Sequence, residues 1–112
     1  MCNQNTLKQI LDKICDFAKD NFGEKLCAVK LYGSYARGDY DDESDIDIMV
    51  LIHCSRDELR DYRYLLVDLG SDLSLENDIT VSILAYDTET FDKFRDVMPF
   101  LQNVEREGIK VA

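Results

Sequence analysis

The stretch LYGSYARGDYDDESDIDIMV, residues 31–50, sets six carboxylates within nine positions: Asp39, Asp41, Asp42, Glu43, Asp45 and Asp47. It starts at a Gly-Ser pair, Gly33-Ser34, and ends in an alternation of acid and apolar residues that runs into Ile48–Ile52. Negative charge is thus crowded against the start of a core strand. In an extended chain successive side chains point to opposite faces. Asp45 and Asp47 then share one face, and Ile46, Ile48 and Val50 share the other. Two carboxylates about 6–7 Å apart along a strand repel unless one is protonated or a cation sits between them. Oxygen ligands in pairs, completed by water and phosphate oxygens, are how Mg2+ is usually held. Two such ions can activate an attacking oxygen and stabilise a leaving pyrophosphate.

Upstream, Gly33-Ser34 follows a short β-rich run, LCAVKLYG. A glycine there lets a phosphate approach the backbone, and N–H groups at the turn into a short helix can receive it. The Ser34 hydroxyl adds a donor. Gly-Ser alone occurs in countless turns, and it gains meaning only beside Asp-x-Asp on the next strand. Asp39 to Glu43 read as a solvated loop.

The totals narrow the classes. The 112 residues suit one domain, residues 1–112. A net charge of −10, from 13 basic and 23 acidic residues, argues against unaided binding to nucleic acid, where Lys and Arg on phosphates supply most of the affinity. It fits a metal-assisted site or a partner with a basic surface. The longest apolar run, IMVLI, has five residues, too few to span a bilayer, and the N-terminus lacks the pattern of a secretory signal. Cys2, Cys15, Cys27 and Cys54 show no C-x-x-C spacing and His53 is the single histidine. The cysteines read as reduced, mostly buried thiols of a cytoplasmic protein rather than zinc ligands.

Along the chain, Asn5 or Thr6 is placed to cap a first helix with Leu7, Ile10, Leu11, Ile14, Phe17 and Ala18 on one face, and Gly23 stops it. Ser55 and Glu58 form a capping box for a second long helix, which Gly70 ends or weakens. Residues 78–86 read as a third strand, Asp87 or Thr88 caps the next helix, and Pro99 and Gly108 bracket the last. The order predicts an α/β (α+β) domain with a small mixed sheet flanked by helices. His53 reads as a packing or surface histidine. Arg56, Arg60 and Arg63 read as a solvated helix face paired with Asp57 and Asp61. Tyr35, directly after Ser34, is the tyrosine best placed to meet a base or a partner.

With these residues in view, GSYARGDYDDESDIDIMV resembles the minimal nucleotidyltransferase (MNT) domains of the polymerase-β-like superfamily. Their motif is Gly-Ser, ten residues, then Asp-x-Asp, and here Gly33-Ser34 is followed by residues 35–44 and then Asp45-Ile46-Asp47. Ala36-Arg37-Gly38, Ser44 before the first aspartate, and the closing PFLQNVEREGIKV agree as well. The resemblance implies a polymerase-β-like nucleotidyltransferase fold and transfer of AMP from ATP to a hydroxyl with Mg2+. It also implies an antitoxin setting, in which a tyrosine of a helical HEPN ribonuclease toxin is adenylylated. By position, Gly33 and Ser34 would hold phosphates, and Asp45 and Asp47 would be the catalytic metal ligands. Arg37 would reach the nucleotide or a neighbouring carboxylate, or brace its loop through a salt bridge.

One departure stands out. Active members often carry a third carboxylate on the later strand, and that position here is Ser82. Asp78, four residues away and about 13 Å along a strand, is too far to replace it. A serine neither ligates Mg2+ as well nor accepts a proton at neutral pH. The alternative expectation is therefore a weak or inactive MNT-fold module that neutralises a toxin by contact. Transfer to a small molecule of the aminoglycoside kind would call for a second domain. A chain of this size leaves its nucleotide cleft open on one side, for a partner or a second copy to complete.

Overall fold

The strand that follows the acidic run is the centre of the molecule. The computed structural model describes residues 3–112. Its elements are α1 (Gln4–Phe22), a short 3-10 turn (Gly23–Lys25), β1 (Leu26–Tyr32), α2 (Ser34–Arg37), β2 (Ile46–Ile52), α3 (Arg56–Asn77), β3 (Val81–Asp87), α4 (Thr88–Phe94), α5 (Pro99–Glu107) and β4 (Ile109–Lys110). The four strands form one sheet in the order β3-β2-β1-β4. β1 pairs antiparallel with β2 and β4, and β2 runs parallel to β3. This is the mixed sheet flanked by helices that the sequence predicts.

β2 is apolar on both faces because both are covered. On one side Ile46, Ile48, Val50 and Ile52 pack with Val29, Val81 and Ile83 under α1 and α3, through Ile10, Ile14, Leu66 and Leu73. On the other, Met49 and Leu51 pack with Ala28 under α4 and α5, through Phe91, Leu101 and Val104. Asp47 belongs by alternation to this second face, half-buried at the start of β2.

Several expectations shift when the chain folds. The cap of α1 is Asn3, whose Oδ1 accepts from the Thr6 N–H at 2.8 Å; Asn5 and Thr6 therefore lie inside the first turn. Gly23, at φ 53°, does end the helix. The Ser55–Glu58 capping box is present, and Lys25 clamps Glu58 from the turn before β1. Gly70, however, does not stop α3, which continues to Asn77. A β-carbon there would stand 3.0 Å from the Val81 carbonyl oxygen, so the glycine lets α3 lie close on β3. The longer helix takes Asp78 as its left-handed C-cap, at φ 53°. β3 consequently begins at Val81, and Asp78 is not on a strand. Pro99 opens α5 and the N–H of Gly108 closes it on Val104. The two-residue β4 was not foreseen.

Cys15 is buried, Cys54 half-buried and Cys27 exposed, all as free thiols, while Cys2 lies outside the described residues. Cys27 departs from the buried expectation because the β1–β2 register shifts between Leu26 and Ala28, a bulge that frees its side chain. Burial pushes the Cys15 thiol up. Among the described residues no helix is long and apolar enough to cross a membrane.

Candidate active site

The chain leaves β1 at Tyr32 and turns sharply through Gly33, at φ 74° and ψ −155°, a conformation close to glycine-only. The turn opens α2, a single helical turn in which Ala36 and Arg37 donate to the Gly33 carbonyl at 3.1 Å each. Gly38, at φ 85°, ends it. The requirement for glycine at position 33 is twofold, since a β-carbon there would stand 2.5 Å from Asp47 Oδ2. The Asp47 carboxylate thus lies directly against the turn that starts α2.

The acidic loop is mostly what it looked like. Asp39, Asp41, Asp42 and Glu43 are exposed. Asp41 organises the loop, accepting the Glu43 N–H at 2.9 Å and the Ser44 hydroxyl at 3.2 Å. Ser44 Oγ in turn accepts the Asp41 N–H at 2.9 Å. The closed turn delivers Asp45, exposed, to the position just before β2, with Asp47 half-buried two residues on. Burial pushes the Asp47 carboxyl up from its ordinary value, the charge of Asp45 adds to this, and Arg37 opposes it. The two carboxylates are therefore close enough to repel each other, the situation that a bound dication relieves.

Arg37 is held by two acids. Its Nε donates to Asp39 Oδ2 at 3.1 Å and its Nη1 to Glu107 Oε2 at 3.3 Å. The second contact ties α2 to the end of α5. The brace reading of Arg37 is thus realised, and the charge of the same guanidinium still lowers the Asp47 carboxyl. Tyr35, in contrast, is buried at 7% exposure, its ring stacked on Tyr40 at 4.3 Å. It faces the core from the inner side of α2 and is not available to stack on a base.

The neighbours of Asp47 across the sheet are Tyr32 on β1 and Ser82 on β3. Ser82 is exposed rather than partly buried. Burial, then the charges at Asp47 and Tyr86, push the Tyr32 phenol up to about 12. Its ring meets Phe100 edge-on at 5.5 Å. A cavity of about 200 Å3 opens here, lined by Tyr32, Gly33, Arg37, Phe100, Asn103 and Glu107. Sequence reasoning did not single out Tyr32, Phe100 or Asn103. The signal was the position of Tyr32 immediately before Gly33; Phe100 and Asn103 were signalled only by lying in the closing PFLQNVEREGIKV, and only the tertiary fold brings them to the sheet. His53 is exposed, 3.1 Å from Thr88 Oγ1, well removed from this end of β2.

Among the described residues no three His, Cys, Asp or Glu side chains converge as a ready-made metal cage. Two carboxylates at one strand end are nonetheless a fitting donor set for Mg2+, which is commonly held by one or two carboxylates plus substrate phosphates.

Residues 7–111 match the family model described as Nucleotidyltransferase domain, and the chain belongs to this nucleotidyltransferase family. Two proteins of Methanocaldococcus jannaschii, each provisionally named a protein adenylyltransferase, are 35% and 30% identical over 106 and 108 residues, covering 92% and 96% of this chain and 99% and 96% of their own. Among solved structures, a toxin–antitoxin complex with AMP-PNP has a chain 26% identical with a TM-score of 0.58, covering 91% of this chain and 72% of that one. A provisional minimal nucleotidyltransferase shares the fold at a TM-score of 0.60 and 23% identity, over 96% of this chain and 95% of that one.

Proposed function

We propose that this nucleotidyltransferase moves AMP from ATP to a hydroxyl of a partner protein, a tyrosine of a HEPN-type ribonuclease toxin, and so acts as its antitoxin. The observation that carries the reading is the contact of the Asp47 carboxylate with the Gly33 turn, with Asp45 beside it. In support of it, that contact would bring backbone able to receive a phosphate and a pair of carboxylates able to hold a cation to one point. Support for the acceptor comes from the relatives named as protein adenylyltransferases and for the setting from the toxin–antitoxin neighbour with AMP-PNP.

In this reading the Gly33 turn and the Ser34 hydroxyl orient the triphosphate, and Asp45 and Asp47 hold Mg2+. The bound metal would neutralise the phosphates and sharpen the electrophile at the α-phosphorus. The acceptor oxygen forms a bond to the α-phosphorus as the bond to pyrophosphate breaks in line with it. Arg37 exchanges a carboxylate for a phosphate oxygen when nucleotide enters. With serine at position 82, the hydroxyl proton leaves to solvent or to a base that the acceptor protein brings.

That serine also favours a second reading, a binding module that restrains the toxin by contact with little transfer. One experiment separates the two: incubation with labelled ATP, Mg2+ and a HEPN-type partner, followed by intact mass of both chains. Addition of AMP to the partner, abolished by Asp47→Ala, is the expected result. A stable complex without any mass gain would overturn transfer and leave binding.

A further inference from the structure

Phe100, Asn103, Val104 and Glu107 fall at the i, i+3, i+4 and i+7 steps of one face of α5. Val104, together with Leu101, is buried and anchors the helix on the sheet. The other members of the face are not consumed by that packing. Phe100 keeps 38% of its surface exposed, and Asn103 is exposed. Both border the cavity of about 200 Å3 that also takes in Tyr32, the last residue of β1. The Tyr32 and Phe100 rings meet at 79°, so two aromatic surfaces nearly at right angles line one small opening.

This opening is continuous with the candidate active site. Gly33 belongs to its lining and is also the residue against which Asp47 Oδ2 lies. Tyr32 is the direct cross-strand partner of Asp47. Of the lining side chains, Asn103 alone is a neutral amide. Its Oδ1 accepts from Arg106 Nη2 at 2.7 Å, a bond that steadies the group, and its Nδ2 donates to nothing among the described residues. A carbonyl oxygen has a second lone pair. The Asn103 carboxamide therefore still has an acceptor and a donor to offer.

We infer that the cavity between Tyr32 and Phe100 receives the base of the substrate nucleotide, and that Asn103 selects adenine there. A purine is flat and aromatic, and gains by lying against such rings. A carboxamide matches the edge of adenine that carries its amine: the oxygen accepts from N6 and the nitrogen donates to the ring nitrogen beside it. Guanine sets a carbonyl oxygen where that amine would be, so two acceptors face each other unpaired. Glu107, in the same lining, repels phosphate but not a neutral base. The uncharged end of the nucleotide thus enters the cavity, and the phosphates stay at the Gly33 turn. The inference rests on the transferase reading for its nucleotide and adds the residue that chooses the base.

The test is calorimetric titration of the full chain, with Mg2+, by ATP, GTP and purine riboside triphosphate, the last being ATP without its N6 amine. Wild type should bind ATP about tenfold or more tighter than either of the others. Asn103→Ala, at an exposed position whose retained fold a melting curve verifies, should bring the three within about twofold of one another. Phe100→Leu keeps apolar bulk without the aromatic face. It should weaken all three by about fivefold or more and leave the preference for ATP. Equal binding of the three by wild type, a preference for ATP that survives Asn103→Ala, or unchanged affinity in Phe100→Leu would overturn the inference and leave the transferase reading untouched. If wild type binds no triphosphate, the two fall together. If ATP is selected through Asn103 but no AMP reaches a HEPN-type partner, the transferase reading fails and the base pocket stands.

Discussion

Gly33 and Asp47 are fitted to one another: the space a β-carbon would need at position 33 is taken by Asp47 Oδ2, 2.5 Å from where it would stand. The backbone at Gly33, φ 74° and ψ −155°, adds a second objection to any side chain. Gly33→Ala should therefore cost about 1–3 kcal/mol of stability through strain and displace the Asp47 carboxylate. Gly38→Ala is the control. It also has positive φ, at 85°, but an added β-carbon meets nothing within 4 Å. Both variants should melt lower than wild type, while only Gly33→Ala loses AMP transfer beyond its loss of folded protein. Equal activity in the two would remove Gly33 from the site.

The contrast between these glycines shows what the sequence could carry. The Gly-Ser and Asp-x-Asp pairs are local signals, and alternation along β2 is enough to put Asp45 and Asp47 on one face. The mixed sheet followed from the order of periodic segments. Gly70 misled because the same residue suits a helix end and a close helix–strand contact, and only the nearness of Val81 tells them apart. Tyr35 misled for a related reason: adjacency to Ser34 does not say which side of a single helical turn faces the core. Phe100, Asn103 and Glu107 are about seventy residues from Gly33 and reach it only because α5 packs back over β1. The segment PFLQNVEREGIKV agrees with the family, but nothing local in it says where the helix lands.

Arg37 offers a way to separate a brace from a ligand. Its bonds to Asp39 and Glu107 are surface ion pairs, the arginine side chain being 43% exposed, and such pairs add little to stability. Glu107→Gln should leave the melting temperature nearly unchanged and free Arg37 for phosphate, so ATP binding holds or tightens. Arg37→Ala should likewise melt close to wild type but bind ATP at least about tenfold more weakly, having lost a charge-assisted contact. Calorimetric titration with ATP reads both. Unchanged affinity in Arg37→Ala would confine the residue to loop bracing.

A modest part of the acid sensitivity should trace to Glu58, whose pair with Lys25 is solvent-exposed and screened. Its carboxylate is held down at about 2, against an ordinary 4.5, first by the bond from Lys25 and then by the Ser55 backbone. Between these values the unfolded chain binds more protons than the folded one, so stability rises with pH there. The contribution is complete above 4.5 and is lost as pH falls toward 2. Glu58→Gln removes both the carboxylate and its titration. Melting curves of wild type and variant should differ near neutrality and converge as the pH is lowered. A gap that stays constant across that window would contradict the assignment.

Ser82 is the last and most informative position. It is exposed and in direct parallel register with Asp47, so a carboxylate there would project beside the existing pair without entering the core. Without metal a third negative charge adds repulsion, and Ser82→Asp should melt slightly lower than wild type in EDTA. With Mg2+ the order should reverse, since the added oxygen ligand favours the bound ion. If transfer in the natural chain is limited by the want of a base or a third ligand, Ser82→Asp should raise the rate of AMP addition to the partner about tenfold or more. The gain should disappear when Asp47→Ala is combined with it. A metal-dependent rise in melting temperature without any gain in transfer would mean that proton removal is supplied by the acceptor protein, and that serine at position 82 serves to leave room for it.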